Sequence, residues 1–189
     1  MFQPNSKVIR HKLSLKSGRK YIRKYWKKGN PKYLSFPDDC TNYASQIMYA
    51  EGFRMTPTDY KHQGTFNLRS NKTKDWYMRK DWYGTHYSTS WSTVNGFWKH
   101  WTKESKMPHF TTTSRKKIKK YAKPGDVVQF WSKKQGWFHT VTVYRKNKKD
   151  VYYTSHTANF RGKALRHCNV GRSGKKKIQK FRILRTGVS

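Results

Sequence analysis

The sequence predicts an α+β fold in which N-terminal helices pack on a small antiparallel sheet. Helical hydrophobic patterns occur in the first two thirds of the chain, up to Lys123-Pro124-Gly125. After this turn the segments alternate with a period of two and are rich in Val, Ile, Tyr, Phe and Thr. Helices followed by a run of strands are typical of the α+β class, and we expect residues 1–189 to form one domain.

Two amphipathic helices are predicted before residue 53. The first covers residues 19–28, where Tyr21, Ile22, Tyr25 and Trp26 recur at helical spacing. The second covers about residues 40–51, with a loop before it and Gly52 as the stop signal. Later in the chain, Ser90 is a candidate cap for a third helix with the apolar positions Trp91, Val94, Trp98 and Trp101.

Short turns separate four predicted strands, which suit an antiparallel meander; they cover residues 126–131, 137–144, 151–157 and 178–184. Residues 115–122 are predicted to be a short basic helix or turn. Three segments have weaker patterns. Residues 1–18 are predicted to be a basic N-terminal strap or a fraying helix, 53–90 a loop-rich insertion, and 166–189 a basic C-terminal segment that contains the last strand.

The composition indicates a folded, strongly cationic domain. Aromatic residues make up 16% of the chain, so the core is expected to contain many rings. The formal net charge is +34, which attracts polyanions such as nucleic acid, teichoic-acid-type wall polymers and anionic lipid headgroups.

Cysteine usage and hydropathy limit the class further. There are two cysteines, Cys40 and Cys168, too few for a disulfide-stapled scaffold, and we expect both to be free. No apolar run reaches the roughly 18 residues of a membrane span. The N-terminus lacks the apolar core of a signal peptide, so export by another route or a trimmed domain is expected.

Cys40 lies where a loop meets the predicted second helix, after Pro37, Asp38 and Asp39. The unpaired N–H groups and the positive dipole end of a helix N-terminus favour a thiolate. From this position alone the pKa of the Cys40 thiol is expected to lie below its usual value of about 8.5.

Two histidines lie in neighbouring predicted strands. His139 alternates with Val141 and Val143 on a face that we expect to contact the helix, and His156 lies near the end of the next strand. If these strands pair, the two imidazoles are neighbours. The order Cys40, His139, His156 then predicts acyl transfer, with a thiolate nucleophile, an imidazole base and a second imidazole that orients the first.

Four stretches carry a family resemblance: Asp-Cys-Thr-Asn-Tyr-Ala-Ser-Gln at 39–46, Gly-Asp-Val-Val-Gln-Phe at 125–130, His-Thr-Val-Thr-Val at 139–143 and Ser-His-Thr at 155–157. Together they resemble the putative amidase domain family, which is related to the NlpC-type and CHAP cell-wall hydrolases. The resemblance implies a papain-like cysteine hydrolase core, with Cys40 as nucleophile and His139 as base. The third member is implied to be His156 or Asn159.

The substrate-binding positions are predicted to be polar and aromatic residues of the same stretches, with Trp137 as a cleft wall: Asp39, Asn42, Trp91, Trp137 and Asn159. No cofactor is expected. Cys168 follows His167, but the remaining ligand spacings of a zinc site are missing, so no metal is expected either.

The resemblance implies a cysteine amidase or endopeptidase that cleaves an amide bond of peptidoglycan, as a lysin or an antibacterial toxin. We expect delivery to the cell wall, with peptidoglycan and anionic wall polymers as partners and, for a toxin, an immunity or inhibitor protein. Alternatives are a nucleic-acid-binding basic domain, or a papain-like hydrolase that acts on a protein or a lipid substrate.

Overall fold

The structure is a computed structural model, and it describes residues 8–57, 69–82, 84–168 and 178–189. Helix α1 (Leu15–Tyr25) begins at Ser14, whose hydroxyl accepts a hydrogen bond from the backbone N–H of Ser17. Helix α2 (Cys40–Glu51) ends at Gly52. The φ of Gly52 is 117°, a left-handed backbone conformation that favours glycine at this position. Both predicted helices are confirmed, although α1 begins and ends earlier than its apolar stripe indicates.

The described part of the predicted insertion contributes to the core. It contains a three-stranded sheet in the order β1-β3-β2, with β1 (Arg69–Ser70), β2 (Met78–Asp81) and β3 (Gly84–Ser88). Trp76, which precedes β2, is completely buried. Residues 58–68 and 83 lie outside the described residues, so the prediction of loops is not tested there.

The predicted tryptophan-rich helix is divided. It consists of α3 (Thr89–Ser92), α4 (Val94–Lys99) and a π-helical turn (His100–Glu104). Thr93 is extended, with a ψ of 145°, and its hydroxyl accepts from the N–H of Gly96 to start α4.

The main sheet is antiparallel throughout and has the order β4-β9-β5-β6-β7-β8. The predicted meander is confirmed for β5, β6 and β7, whereas the predicted last strand, β9, pairs on the far side of β5. The edge strands β4 and β8 were not predicted from the sequence. A short helix, α5 (Arg115–Tyr121), connects β4 to β5. The strands are β4 (His109–Thr112), β5 (Val127–Ser132), β6 (Gly136–Lys146), β7 (Val151–Ser155), β8 (Phe160–Ala164) and β9 (Lys180–Leu184).

Both faces of this sheet are covered. On one face Thr140 of β6 lies against α2, with 2.8 Å between its hydroxyl oxygen and that of Thr41. On the other face Val141 and Val143 pack in a cluster with Ile118 of α5. The prediction that the valine face of this strand contacts the helix is therefore wrong, because α2 is joined to β6 by hydroxyl contacts on the opposite face.

The first described residues lie across the end of α2. The backbone N–H of Arg10 donates to the carbonyl of Gly52, and the N–H of Arg54 donates to the carbonyl of Val8. Of the segment 1–18 that was predicted as a strap or fraying helix, residues 15–18 belong to α1, and residues 1–7 lie outside the described part of the chain. None of the described helices combines the length and the apolar character that a membrane crossing requires.

Candidate active site

Cys40 is the first residue of α2, and its sulfur contacts both the helix and the sheet. The Thr41 hydroxyl lies 3.8 Å from Sγ, and the backbone N–H groups of Thr140 and Thr41 donate to it. The thiol is 3% exposed and free, as is Cys168. Polar groups of both α2 and β6 are therefore in contact with the sulfur.

The sulfur of Cys40 contacts a backbone N–H of β6 that has no pairing residue in β7. β7 pairs with β6 from Thr154 opposite Thr142, and it ends at Ser155, so no residue of β7 pairs with Thr140. Backbone N–H groups of a strand point along the sheet. Because Sγ accepts the N–H of Thr140, it lies beside β6, close to the point where β7 ends.

Burial raises the pKa of the Cys40 thiol, and the nearby Asp38 carboxylate raises it further. The donated hydrogen bonds from Thr140 and Thr41 lower the pKa but do not outweigh burial. The sequence-based expectation of a lowered pKa is therefore wrong for the free protein. A thiol in this environment needs a base to become a nucleophile.

His139 is the residue before Thr140, and its imidazole lies on the face of the sheet away from α2. It pairs with Phe130 of β5, and the two ring centroids are 5.8 Å apart. Cys40 and His139 are therefore linked through Thr140, whose backbone N–H contacts the sulfur and which follows His139 in β6.

Ser155 fixes the tautomer of His139. Its hydroxyl donates to the carbonyl of His156 at 2.8 Å, so its oxygen accepts from Nε2 of His139 at 2.9 Å. In the neutral ring the lone pair is then on Nδ1, the nitrogen that can accept a proton. The sequence assigned this orienting role to a histidine or an amide, and Ser155 was missed although it lies in the Ser-His-Thr stretch.

His156 has a different set of partners from the one predicted. Nδ1 lies 2.8 Å from Oδ2 of Asp39 and Nε2 lies 2.9 Å from the carbonyl of Tyr25. The imidazole also stacks on Tyr43, with ring centroids 3.6 Å apart. Each ring nitrogen of His156 is thus already in contact with a partner, and the side chain cannot also orient His139 through a ring nitrogen. It joins the residue before Cys40 to α1 and α2.

Asn42 and Trp91, predicted to bind substrate, are completely buried. The indole N–H of Trp91 donates to Oδ1 of Asn42 at 2.8 Å, and Nδ2 of Asn42 donates to the carbonyl of Leu34 and to Asp39. Both residues fix the loop before α2 and are closed to substrate, which corrects the prediction.

The three remaining substrate-binding predictions differ in exposure. Asp39 is buried, and its carboxylate is in contact with His156 and accepts the N–H of Phe36. Asn159 is exposed, and its side chain donates to the carbonyl of Lys27. The ring of Trp137 is half-buried, and the guanidinium of Arg182 stacks on it, 4.1 Å from the ring centroid. No group of three or more His, Cys, Asp or Glu that could hold a metal occurs in the described ranges.

Comparisons with known proteins found one family model and a curated relative that match this chain. A family model, described as a putative amidase domain, matches residues 12–184. Among the curated proteins, the uncharacterized protein YhbB of Bacillus subtilis (strain 168) is 30% identical over 132 residues, which is 69% of this chain. The chain spans 37% of the length of that relative. No solved structure matches the chain significantly.

Proposed function

Because the chain belongs to the putative amidase domain family, we propose that it is a cysteine-dependent hydrolase that cleaves an amide bond of bacterial peptidoglycan. The family supports hydrolase activity. The papain-like core, the relation to NlpC-type and CHAP hydrolases and the wall substrate are parts of this proposal. One observation carries it: Sγ of Cys40, at the start of α2, accepts the N–H of the residue that follows His139.

The proposed reaction begins with proton transfer from the Cys40 thiol to Nδ1 of His139. The thiolate attacks the carbonyl carbon of the scissile amide and forms a tetrahedral intermediate. The C–N bond then breaks, the imidazolium gives its proton to the leaving amine, and a thioester remains on Sγ. Water attacks this thioester with His139 again as base, so that a carboxylic acid is released and the thiol returns.

Two features support this assignment of roles. The Ser155 hydroxyl keeps the lone pair of His139 on Nδ1 in the neutral ring. The first N–H groups of an α-helix have no partner inside the helix, so the N-terminus of α2, at Cys40, supplies donors for the oxyanion.

The net charge of +34 supports an anionic polymer as the surface on which the enzyme works. Exposed basic side chains occur on both α1 and α5, on opposite sides of the sheet, among them Lys20, Arg23, Lys24, Lys116 and Lys117. We infer that anionic wall polymers attract the protein to the cell wall and that this attraction decreases with salt. Equally tight, salt-dependent binding of Cys40→Ala to DNA or RNA, with no wall hydrolysis by the unmodified protein, supports the nucleic-acid alternative instead.

The test is digestion of purified peptidoglycan by the unmodified protein, Cys40→Ala and Cys168→Ala. Cys168 is the matched control because it is a second buried, free cysteine, with Sγ 3.3 Å from the hydroxyl of Tyr153. Mass spectrometry identifies the new termini and so distinguishes an amidase from an endopeptidase. The proposal requires new termini with the unmodified protein and Cys168→Ala but not with Cys40→Ala. Termini released equally by all three variants, or by none, contradict it.

A further inference from the structure

A row of buried side chains connects Arg182 to the sulfur of Cys40, and we propose that it stabilises the thiolate. This donor chain consists of Arg182, Gln129, Thr140 and Thr41. The inference rests on the proposed function, because it assigns positioning residues to the same nucleophile. It concerns how the thiolate forms, and it makes no further claim about which wall bond is cleaved.

The contacts of the donor chain are continuous. Nε of Arg182 donates to Oε1 of Gln129 at 2.6 Å, and Nε2 of Gln129 donates to Oγ1 of Thr140 at 3.0 Å. The hydroxyl oxygens of Thr140 and Thr41 are 2.8 Å apart, and Oγ1 of Thr41 lies 3.8 Å from Sγ of Cys40. All five side chains belong to buried residues.

The direction of these hydrogen bonds follows from the donors at the far end. A guanidinium only donates, so the oxygen of the Gln129 amide must face Arg182. The amide nitrogen then donates to the carbonyl of Val94 and to Thr140. With Gln129 fixed as a donor, the Thr140 hydroxyl is free to donate to Thr41, and the Thr41 hydroxyl to the sulfur.

A thiolate is the best end for such a chain. It accepts the Thr41 hydrogen, so each donor from Arg182 to Thr41 has an acceptor. A thiol that donates to Thr41 reverses the two hydroxyl bonds, so that the Thr140 oxygen accepts from both Thr41 and Gln129 and its own hydrogen has no acceptor within the donor chain. Hydrogen bonds to the charged form favour it, and chains of hydrogen bonds polarise one another in a buried site.

Arg182 is held in place at the start of the donor chain. Its guanidinium stacks on the rings of Trp98 and Trp137, at 4.4 and 4.1 Å from their centroids, and Nη2 donates to Oδ1 of Asn95. Burial lowers the pKa of Arg182 to about 9, which leaves it charged at neutral pH. Its positive charge thus polarises the Gln129 amide toward Thr140.

Other charged groups near the sulfur belong to the elements around it. The Asp38 carboxylate, in the loop before α2, raises the pKa of the Cys40 thiol. Asp39 is paired with His156 beyond the end of β7, and His139 lies on β6. The donor chain approaches from β5 and β9 on the α2 face, so its effect can be removed without changing any of these groups.

The test uses the full chain labelled with ¹³C-cysteine, in which the Cβ chemical shift of Cys40 reports thiol ionisation as pH is varied. The variants are Thr140→Val, Thr41→Val and the conservative Thr140→Ser. Thr142→Val is the matched control, because Thr142 is buried on the same face of β6 and its hydroxyl has no hydrogen-bond partner within the described ranges. No wall substrate is present, so the result does not depend on whether or where the protein cleaves peptidoglycan.

We expect Thr41→Val to raise the midpoint by roughly 1–2 pH units, as the loss of one donor to a charged group implies, and Thr140→Val by roughly half as much. Thr140→Val keeps the backbone N–H that contacts the sulfur, so its shift must pass through Thr41. Thr140→Ser should restore the midpoint and Thr142→Val should leave it unchanged. A folded Thr140→Val with the midpoint of the control overturns the proposal. If that variant does not fold, an unchanged midpoint in folded Thr41→Val overturns it equally.

Discussion

The hydroxyl oxygen of Ser155 lies 2.9 Å from Nε2 of His139, and the same hydroxyl donates a hydrogen bond to the backbone carbonyl of His156. Nε2 must therefore carry a hydrogen, and Nδ1 is left as the basic nitrogen. In the proposed mechanism, the backbone carbonyl acts through one serine as the acidic or amide side chain acts in catalytic triads. In our account Ser155 is a positioning residue, since it acts on substrate only through His139.

Ser155→Ala should lower kcat by on the order of tenfold to a hundredfold, part of the 10²–10⁴-fold that general acid–base catalysis contributes. His139→Ala sets the upper limit of this loss. KM should change little, because Ser155 faces the imidazole and the strand. The measurement is the rate of terminus release from soluble peptidoglycan fragments at several substrate concentrations and pH values. Unchanged kcat in folded Ser155→Ala means that Ser155 does not orient the base.

We expect the contact between His156 and Asp39 to contribute mainly to the stability of the folded protein. Removing one partner of a buried pair leaves the other uncompensated, so His156→Phe should lower the free energy of unfolding by roughly 3 kcal/mol. Urea unfolding of His156→Phe, Asp39→Asn and the double variant measures the coupling. We expect the double variant to be more stable than the sum of the single losses implies. Strictly additive losses show that the 2.8 Å contact contributes nothing.

Glu51, at the far end of α2 from Cys40, should destabilise the protein at neutral pH. It is completely buried, and neither carboxyl oxygen has a hydrogen-bond partner within the described residues. Burial, with a smaller contribution from Asp126, raises the pKa of Glu51 well above its usual value. The folded protein therefore keeps a proton that the unfolded chain loses above its pKa of about 4.3, and stability falls as pH rises from there to the folded pKa.

Glu51→Gln should remove this loss. We expect it to match the unmodified protein near pH 4 and to become increasingly more stable than the unmodified protein as pH rises toward 8. Urea unfolding across this range is the measurement, with Glu104→Gln, an exposed glutamate, as control. A constant difference between the variants at every pH contradicts a raised pKa at Glu51.

The sequence predicted the cysteine helix well because its signals are local. The loop residues before Cys40 and the glycine at 52 act within one turn of the helix ends, and the structure begins and ends α2 there. The period-two segments of the meander were also recognisable from the sequence, since side-chain alternation is a property of a single strand.

The face of β6 that contacts α2 could not be read from alternation. Alternation groups Thr140 with Thr142 and Val141 with Val143, but both groups are buried, because helices cover both faces of the sheet. Hydroxyl contacts with Thr41 decide the question, and they join residues 99 positions apart. Trp91 and Asn42 were misjudged for a similar reason, since their mutual hydrogen bond is visible only after folding.

The helix N-terminus and burial change the pKa of the Cys40 thiol in opposite directions, and burial has the larger effect. A helix N-terminus contributes typically 0.3–1 kcal/mol to a nearby charge, whereas desolvation of a fully buried group shifts a pKa by up to about 3–5 units. Sequence position reveals the first effect and not the second. The direction of the shift therefore had to come from the structure.

The most direct test of the central claim is mass spectrometry of the protein quenched in acid during turnover of soluble peptidoglycan fragments. Our account predicts that the peptide containing Cys40 gains the mass of the acyl half of the cleaved fragment, as a thioester, and that Cys40→Ala neither gains mass nor cleaves. Cleavage of the fragments without an acyl group on the Cys40 peptide at any quench time contradicts it.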